Sequence, residues 1–308
     1  MARLAAIVGP TAVGKSALAL QVARAVGGEV VNVDSRLFYR GFDIGTAKPS
    51  PADLALAPHH LIDVLEPGEK MGLQQFIESA TEIIEDIDRR GRLPVLVGGT
   101  GQYLWGLLEG WEVPEAPPDE ALRKELEEMA SSQGGEAVFS LLEEADPAAA
   151  ERIDSRNVRR VIRAIEVARA LGPGAGRGRA AQAPFEDLVI GLTMPRSDIY
   201  ERIDRRIDGM IEAGWLEEVR DLLARGVDPK SPSFAAIGYR ELAAHLSGEG
   251  PLDEAVATAR RASRRLVRQQ YGWFPLDDRR IHWLDAADDP EEYCIGLIQR
   301  WVNDTDRR

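Results

Sequence analysis

Gly9-Pro-Thr-Ala-Val-Gly-Lys15-Ser16 follows directly on the apolar run Leu4-Ala-Ala-Ile-Val8. The order is a buried strand, a glycine-rich turn and a helix opening at Ser16, which is the spacing of a P-loop. Backbone N–H groups of such a turn point inward at an anion, and the helix N-terminus adds positive potential. Lys15 supplies a mobile charge for terminal phosphates, and the Ser16 hydroxyl is a ligand for Mg²⁺. Gly9, Thr11, Ala12, Val13, Gly14, Lys15 and Ser16 are therefore the expected diphosphate-binding residues. The ligand is a di- or triphosphate. The loop alone leaves open whether it is a nucleotide such as ATP.

The chain has 308 residues, enough for a core domain and an appended or inserted one. No apolar run approaches the roughly 20 residues that span a bilayer. The strand reaches the P-loop within nine residues of the start, without the basic and apolar regions of a leader. One cysteine, Cys294, excludes an internal disulfide and a cysteine-based zinc site. Its apolar helical surroundings make it a buried thiol and not a nucleophile. A cytoplasmic protein with no membrane partner is expected.

Net charge is −13, which taken alone argues against a nucleic-acid partner. The distribution reverses that argument. Residues 111–150 carry eleven acids and two bases, a net −9, which leaves only −4 for the other 268 residues. Two clusters stand out: Arg152, Arg156, Arg159, Arg160 and Arg163, then Arg260, Arg261, Arg264, Arg265 and Arg268. Local clusters, not net charge, set contact with a phosphate backbone.

Apolar, β-rich runs fall at 4–8, 29–33, 61–65, 93–97, 188–192 and 281–284, with helical stretches such as 16–26 and 74–89 between them. This βαβα alternation predicts an α/β fold, a P-loop parallel sheet flanked by helices, with ligands outside the carboxyl ends of the strands. The proline-rich stretch 113–118 breaks the alternation, and 119–171 is helical by pattern. A Gly/Pro/Ala segment at 172–184 reads as a flexible linker. Residues 1–112 and 186–308 then form the core, and 113–185 an inserted all-helical domain. Long helices are expected at 198–225 and 251–274.

Four constellations carry chemistry. The second strand ends at Asp34-Ser35, beside the P-loop, where a carboxylate holds Mg²⁺, serves as a general base, or caps the next helix. The fourth strand runs into Gly98-Gly-Thr-Gly101, where an ATPase would place a metal-holding Asp. Its absence weakens an ATP-hydrolysis reading. Glycines there allow close approach of a ligand or another backbone, and Thr100 is a candidate substrate contact. Arg202 and Arg206 share a helix face and either clamp a diphosphate or join ion pairs with Asp204 and Asp208. The arginines at 260–268 run into Gln269, Gln270, Tyr271, Trp273 and Phe274, which suits RNA or a packed amphipathic helix. No histidine spacing resembles a metal site.

Taken together, these residues resemble the tRNA dimethylallyltransferase (isopentenyl-tRNA transferase) family. The matching blocks are the 9–16 loop, Asp34-Ser-Arg-Leu-Phe-Tyr-Arg-Gly-Phe-Asp-Ile-Gly-Thr-Ala-Lys-Pro49 and Pro58-His-His-Leu-Ile-Asp63. They continue with Val97-Gly-Gly-Thr-Gly-Gln-Tyr103, 199–219 and Ile237-Gly-Tyr-Arg-Glu241, in family order to about residue 274. The resemblance implies transfer of a dimethylallyl group from its diphosphate to the exocyclic amine of the tRNA adenine just 3′ of the anticodon. It makes Asp34 the general base, and Lys15, Ser16, Arg206 and Mg²⁺ the groups that stabilise the departing diphosphate. It places Thr100 at the reacting nucleotide. It puts Asp34, Ser35, Arg36, Leu37, Thr100, Arg123, Arg159, Arg160, Arg163, Gly238, Tyr239 and Arg240 against the anticodon stem-loop. A monomer suffices for this chemistry.

The chain departs from the family pattern in places. Leu37 stands where a glutamine is common, Arg159 where a Gln-Arg pair is typical, and Gln269 and Gly272 where the family has Arg and Thr. No C-terminal zinc finger like that of eukaryotic relatives follows the core, so a bacterial type is expected. Rival readings are an adenylate isopentenyltransferase acting on free AMP, a P-loop small-molecule kinase, and a nucleotide-gated RNA-binding module. The arginine-bearing insertion favours tRNA over AMP.

Overall fold

The computed structural model describes residues 1–176 and 178–305. Its elements in chain order begin with β1 (Arg3–Val8), α1 (Lys15–Val26), β2 (Glu29–Asn32), α2 (Pro51–Leu56), β3 (His59–His60), α3 (Leu73–Arg89), β4 (Pro94–Val97) and α4 (Gly101–Leu108). Next come β5 (Trp111–Glu112), α5 (Glu120–Gln133), α6 (Gly135–Ala145), α7 (Pro147–Ala150), α8 (Val158–Leu171) and β6 (Gly178–Arg179). The chain closes with β7 (Glu186–Thr193), α9 (Arg196–Glu212), α10 (Trp215–Ala224), a 3₁₀ turn (Ser233–Ala235), α11 (Tyr239–Leu246), α12 (Leu252–Trp273), β8 (Ile281–Asp285) and α13 (Glu291–Thr305).

Six strands form one parallel sheet in the order β3-β2-β4-β1-β7-β8. Five consecutive residues of β1, Leu4 to Val8, are at most 1 % exposed. Because side chains alternate between faces, an unbroken buried run requires cover on both sides of the sheet. The helices that supply it are amphipathic: α3 buries Phe76, Ala80, Ile84 and Ile87, the spacing of one helical face. α1 opens at Gly14 and stops at Gly27, both in the left-handed region.

The chain divides into two compact units, Met1–Leu108 with Ala183–Arg308, and Glu109–Gln182. The second begins a few residues before the expected 113. It has its own core, in which Leu122 and Leu126 of α5, Val138 and Leu142 of α6, and Val161, Ile162 and Ile165 of α8 pack together. Buried Glu166 stitches it, accepting from Arg123 Nε at 2.7 Å, Arg123 Nη2 at 3.0 Å, Arg163 Nη1 at 3.2 Å and the Asp119 amide at 2.9 Å.

Three expectations change. The unit is not wholly helical, since β5 and β6 pair as a short antiparallel ribbon, drawing Gly178 and Arg179 of the expected linker into structure. Arg177 of that linker lies outside the described residues. The third strand is His59–His60 and not 61–65: Leu61 (φ 59°) and Asp63 (φ 55°) turn left-handed, and only Leu65 returns to bridge Tyr39. The helix expected over 198–225 is two helices, because Gly214 at φ 97° ends one and opens the other. Cys294 is fully buried in α13, and burial pushes its thiol up to about 12.

Candidate active site

The 9–16 loop leaves β1 tightly against β7: a Cβ on Gly9 (φ 134°) would lie 2.3 Å from the Leu192 carbonyl oxygen. Ala12 (φ 65°) and Gly14 (φ 109°) bend the loop back into α1. The Thr11 amide donates to Gln270 Oε1 at 2.8 Å, and Lys15 Nζ donates to the Pro10 carbonyl at 2.6 Å. Burial brings the Lys15 ammonium down to about 8, with Asp34 opposing that shift and Arg206 reinforcing it.

The end of β2 is fixed by a buried asparagine. Asn32 Oδ1 accepts the Asp34 amide at 2.8 Å, and Nδ2 donates to the carbonyls of Asp34 and Leu61 at 3.0 and 2.8 Å. Asp34 Oδ1 accepts the Arg36 amide at 2.9 Å, so the carboxylate caps its own turn while lining the cavities described below. Gly98 is required here, since a Cβ would lie 2.5 Å from the Val33 carbonyl carbon and 2.7 Å from the Asp34 nitrogen. The approach is therefore backbone to backbone. Thr100 lines neither cavity. Its hydroxyl accepts the Ser35 amide at 3.2 Å and its carbonyl opens α4, so it holds the turn after Asp34.

Two cavities meet at these residues. The larger, about 510 Å³, holds the loop with Lys15 and Ser16, and an apolar stretch of Leu20, Val30, Leu37, Ile62 and Val97. The second, about 380 Å³, is walled by Ile203, Ile207, Met210, Trp215, Ala236 and Ile237, with Arg36 and Arg265. Thr11, Asp34, Thr46, Arg206 and Leu266 line both. Arg202 Nη1 also reaches the Val13 carbonyl at 3.3 Å. The helix-face alternatives on α9 separate cleanly: Arg202 and Arg206 face the larger cavity, whereas Asp204 and Asp208 pair with Arg264 and Arg260 of α12. Burial lowers the Arg206 pKa against the pull of Asp34, as expected for a cation withheld from water.

On α12, Arg260 and Arg264 are thus committed to α9, Gln270 is buried, as is Phe274 just past the helix end, and Arg261, Arg265 and Arg268 are exposed. In the Glu109–Gln182 unit, Arg159 and Arg160 are exposed, while Arg123 and Arg163 hold Glu166. Tyr239 is fully buried: its ring lies 4.7 Å from that of Phe42 and edge-on to Trp215, so its side chain serves the core and not the expected RNA surface. Gly238 is buried against Trp215, and Arg240 is exposed.

The sequence does not show the roles of three further residues. Lys48, its side chain 5 % exposed, lines the larger cavity and is tied to Asp43, to Asp63 and to the Tyr39 carbonyl at 2.9 Å. Glu218 accepts the amides of Asp43 and Ile44 and so fixes the loop that carries Lys48. Gln270 joins the 9–16 loop to Gly99. Lys48 and Glu218 fall within the 34–49 and 199–219 blocks and Gln270 within the run that follows the 260–268 arginines, but no local pattern gave their contacts.

A family model described as IPP transferase matches residues 37–279, and one described as isopentenyl transferase matches residues 2–62. The chain is 44 % identical over 304 residues to a tRNA dimethylallyltransferase of Roseiflexus sp. strain RS-1, covering 98 % of this chain and 100 % of the relative. It is 49 % identical over 275 residues to the protein of that name from Roseiflexus castenholzii, covering 89 % and 90 %. Its fold matches the crystal structure of a full-length tRNA isopentenylpyrophosphate transferase from Bacillus halodurans with a TM-score of 0.75 and 38 % identity, over 100 % of this chain and 99 % of the other. With that extent of match along both the sequence and the fold, the chain belongs to the IPP transferase family.

Proposed function

We propose that this protein transfers a dimethylallyl group from dimethylallyl diphosphate to the exocyclic amine of the tRNA adenine 3′-adjacent to the anticodon, releasing diphosphate. The observation that carries the reading is the pair Asp34 and Arg206, which line both cavities at once. The larger cavity suits the donor, with a phosphate loop and the Lys15 cation beside apolar Leu20, Val30, Leu37 and Ile62. The second suits an acceptor base, and it opens onto the same carboxylate. The names of the relatives agree with tRNA as acceptor rather than with free AMP or a kinase substrate.

In the reaction the adenine amine attacks the allylic carbon as the carbon–oxygen bond to the diphosphate breaks. Asp34 takes the proton released from the amine. Lys15, Arg202 and Arg206 meet the charge that builds on the leaving oxygens, the kind of preorganised stabilisation whose loss costs about 3 kcal/mol per contact. Mg²⁺ fits as a partner of the donor, because the Ser16 hydroxyl oxygen lines the larger cavity with the phosphate loop and Asp34. Ser16 and the diphosphate oxygens would hold the ion together with water. When bound, the ion neutralises diphosphate charge. The Glu109–Gln182 unit, with exposed Arg159 and Arg160, is the proposed grip on the anticodon stem-loop. We infer a cytoplasmic monomer, since the reaction needs only one donor site and one acceptor site. No described helix is long and apolar enough to cross a membrane.

The test is incubation with dimethylallyl diphosphate, Mg²⁺ and unmodified tRNA, followed by nucleoside mass analysis, with AMP as the competing acceptor. Prenylated adenosine from tRNA is expected, and Asp34→Asn should reduce its formation by at least a hundredfold, roughly the effect of a general base. Absence of product with tRNA, or full activity of Asp34→Asn, overturns the reading.

A further inference from the structure

The geometry points to Gln270 as a positioning residue that locks the diphosphate loop and the general-base turn into one register. The inference rests on the proposed prenyl transfer. Gln270 lies on α12, 5 % exposed, and lines the larger cavity. Its Oε1 accepts the Thr11 amide of the 9–16 loop at 2.8 Å, and its Nε2 donates to the Gly99 carbonyl at 3.3 Å. One residue on, the Thr100 hydroxyl accepts the Ser35 amide at 3.2 Å, and Ser35 follows Asp34. A short chain of contacts thus runs from the phosphate loop, through one carboxamide, to the backbone beside the base.

The site is shaped for that carboxamide. A Cβ on Gly99 would lie 2.0 Å from Gln270 Nε2, so a side chain there would displace the carboxamide from this position. A carboxamide presents an acceptor and a donor on separate atoms of one planar terminal group, and Gln270 uses both here. Glutamate accepts but cannot donate, lysine donates but cannot accept, and methionine does neither. Leaving the group on α12, rather than within either loop, sets both loops against a third body.

The two loops carry the two ends of the reaction, the leaving diphosphate on one and the proton acceptor on the other. Each loop retains its own ligand contacts when the link is cut, but the relative placement of the ends loosens. Misplacement of about 1 Å in such an arrangement costs roughly a hundredfold in rate. The loss therefore appears in kcat and not in the binding of either substrate.

The experiment measures kcat and both KM values for wild type, Gln270→Met and Gln270→Glu, each alone and combined with Asp34→Asn, with thermal melts of every variant. Gln270→Met should lower kcat by roughly tenfold to a hundredfold with each KM within about threefold of wild type. Gln270→Glu, which keeps the Thr11 contact, should also lose kcat, and it carries the test if the methionine variant fails to fold. Combined with Asp34→Asn, either substitution should cost less than about twofold more, because there is no longer a base to align. Wild-type kcat in both variants, or losses that multiply in full with Asp34→Asn, overturns the inference while leaving the proposed function standing. An inactive wild type would instead overturn the function itself.

Discussion

The Tyr239 hydroxyl donates to Glu218 Oε1 at 2.6 Å, and the other oxygen of the same carboxylate receives the Asp43 and Ile44 amides at 2.8 and 2.7 Å. One side chain on α10 therefore ties α11 to the loop whose Ala47 and Lys48 line the larger cavity. Tyr239 is out of water, and burial together with the Glu218 charge raises its phenol pKa well above the usual value. The proton stays on the tyrosine as a permanent donor.

Two substitutions separate the parts of this contact. Tyr239→Phe removes one donor and should cost about 1–2 kcal/mol in chemical denaturation, with little change in donor binding. Glu218→Ala also strands two loop amides and should cost about 3 kcal/mol, while raising the KM for dimethylallyl diphosphate because Lys48 loses its frame. A Glu218→Ala enzyme with wild-type donor KM would show that the loop is held by its other contacts.

Donor binding should weaken as pH rises through about 8. The Lys15 ammonium titrates near that value in the free protein, so the cation is present below it and lost above it. If the charged form alone binds diphosphate, the donor Kd should rise roughly tenfold between pH 7 and pH 9. Binding near pH 8.5 should take up a proton, visible by calorimetry in buffers of different ionisation enthalpy. Lys15→Met should bind weakly with a flat profile, and a sloping one would assign the titration to another group.

What the sequence made legible follows the range of the contacts. The 9–16 loop, the βαβ alternation and the glycines after β4 are local patterns, and Gly98 does admit a neighbouring backbone. The third strand was misplaced because its end is set by the left-handed turns at Leu61 and Asp63, which an apolar run does not announce. Gln270 and Glu218 were not legible because their partners lie 259 and 175 residues away. Tyr239 was misread because a motif near a ligand does not say which way a ring points. Arg123 and Arg163 meet a related limit: a basic cluster does not announce that a buried acid, Glu166, claims both of them.

That last distinction is itself testable. Arg159→Glu with Arg160→Glu reverses two exposed charges on α8. This pair should weaken tRNA binding and flatten its dependence on log salt by about 1 to 2 in slope, one released counterion per lost phosphate contact. Arg123→Ala acts on the fold instead, because it removes the bidentate partner of Glu166, whose side chain is 1 % exposed. Stripping one partner from a buried charge costs about 3 kcal/mol, and Arg163 remains to offset part of it. The expected result is a lower melting temperature with an unchanged salt slope. An Arg123→Ala protein of normal stability but reduced salt slope would instead return Arg123 to the RNA surface. Unchanged affinity and slope in the Arg159→Glu, Arg160→Glu protein would leave the Glu109–Gln182 unit without its proposed contact.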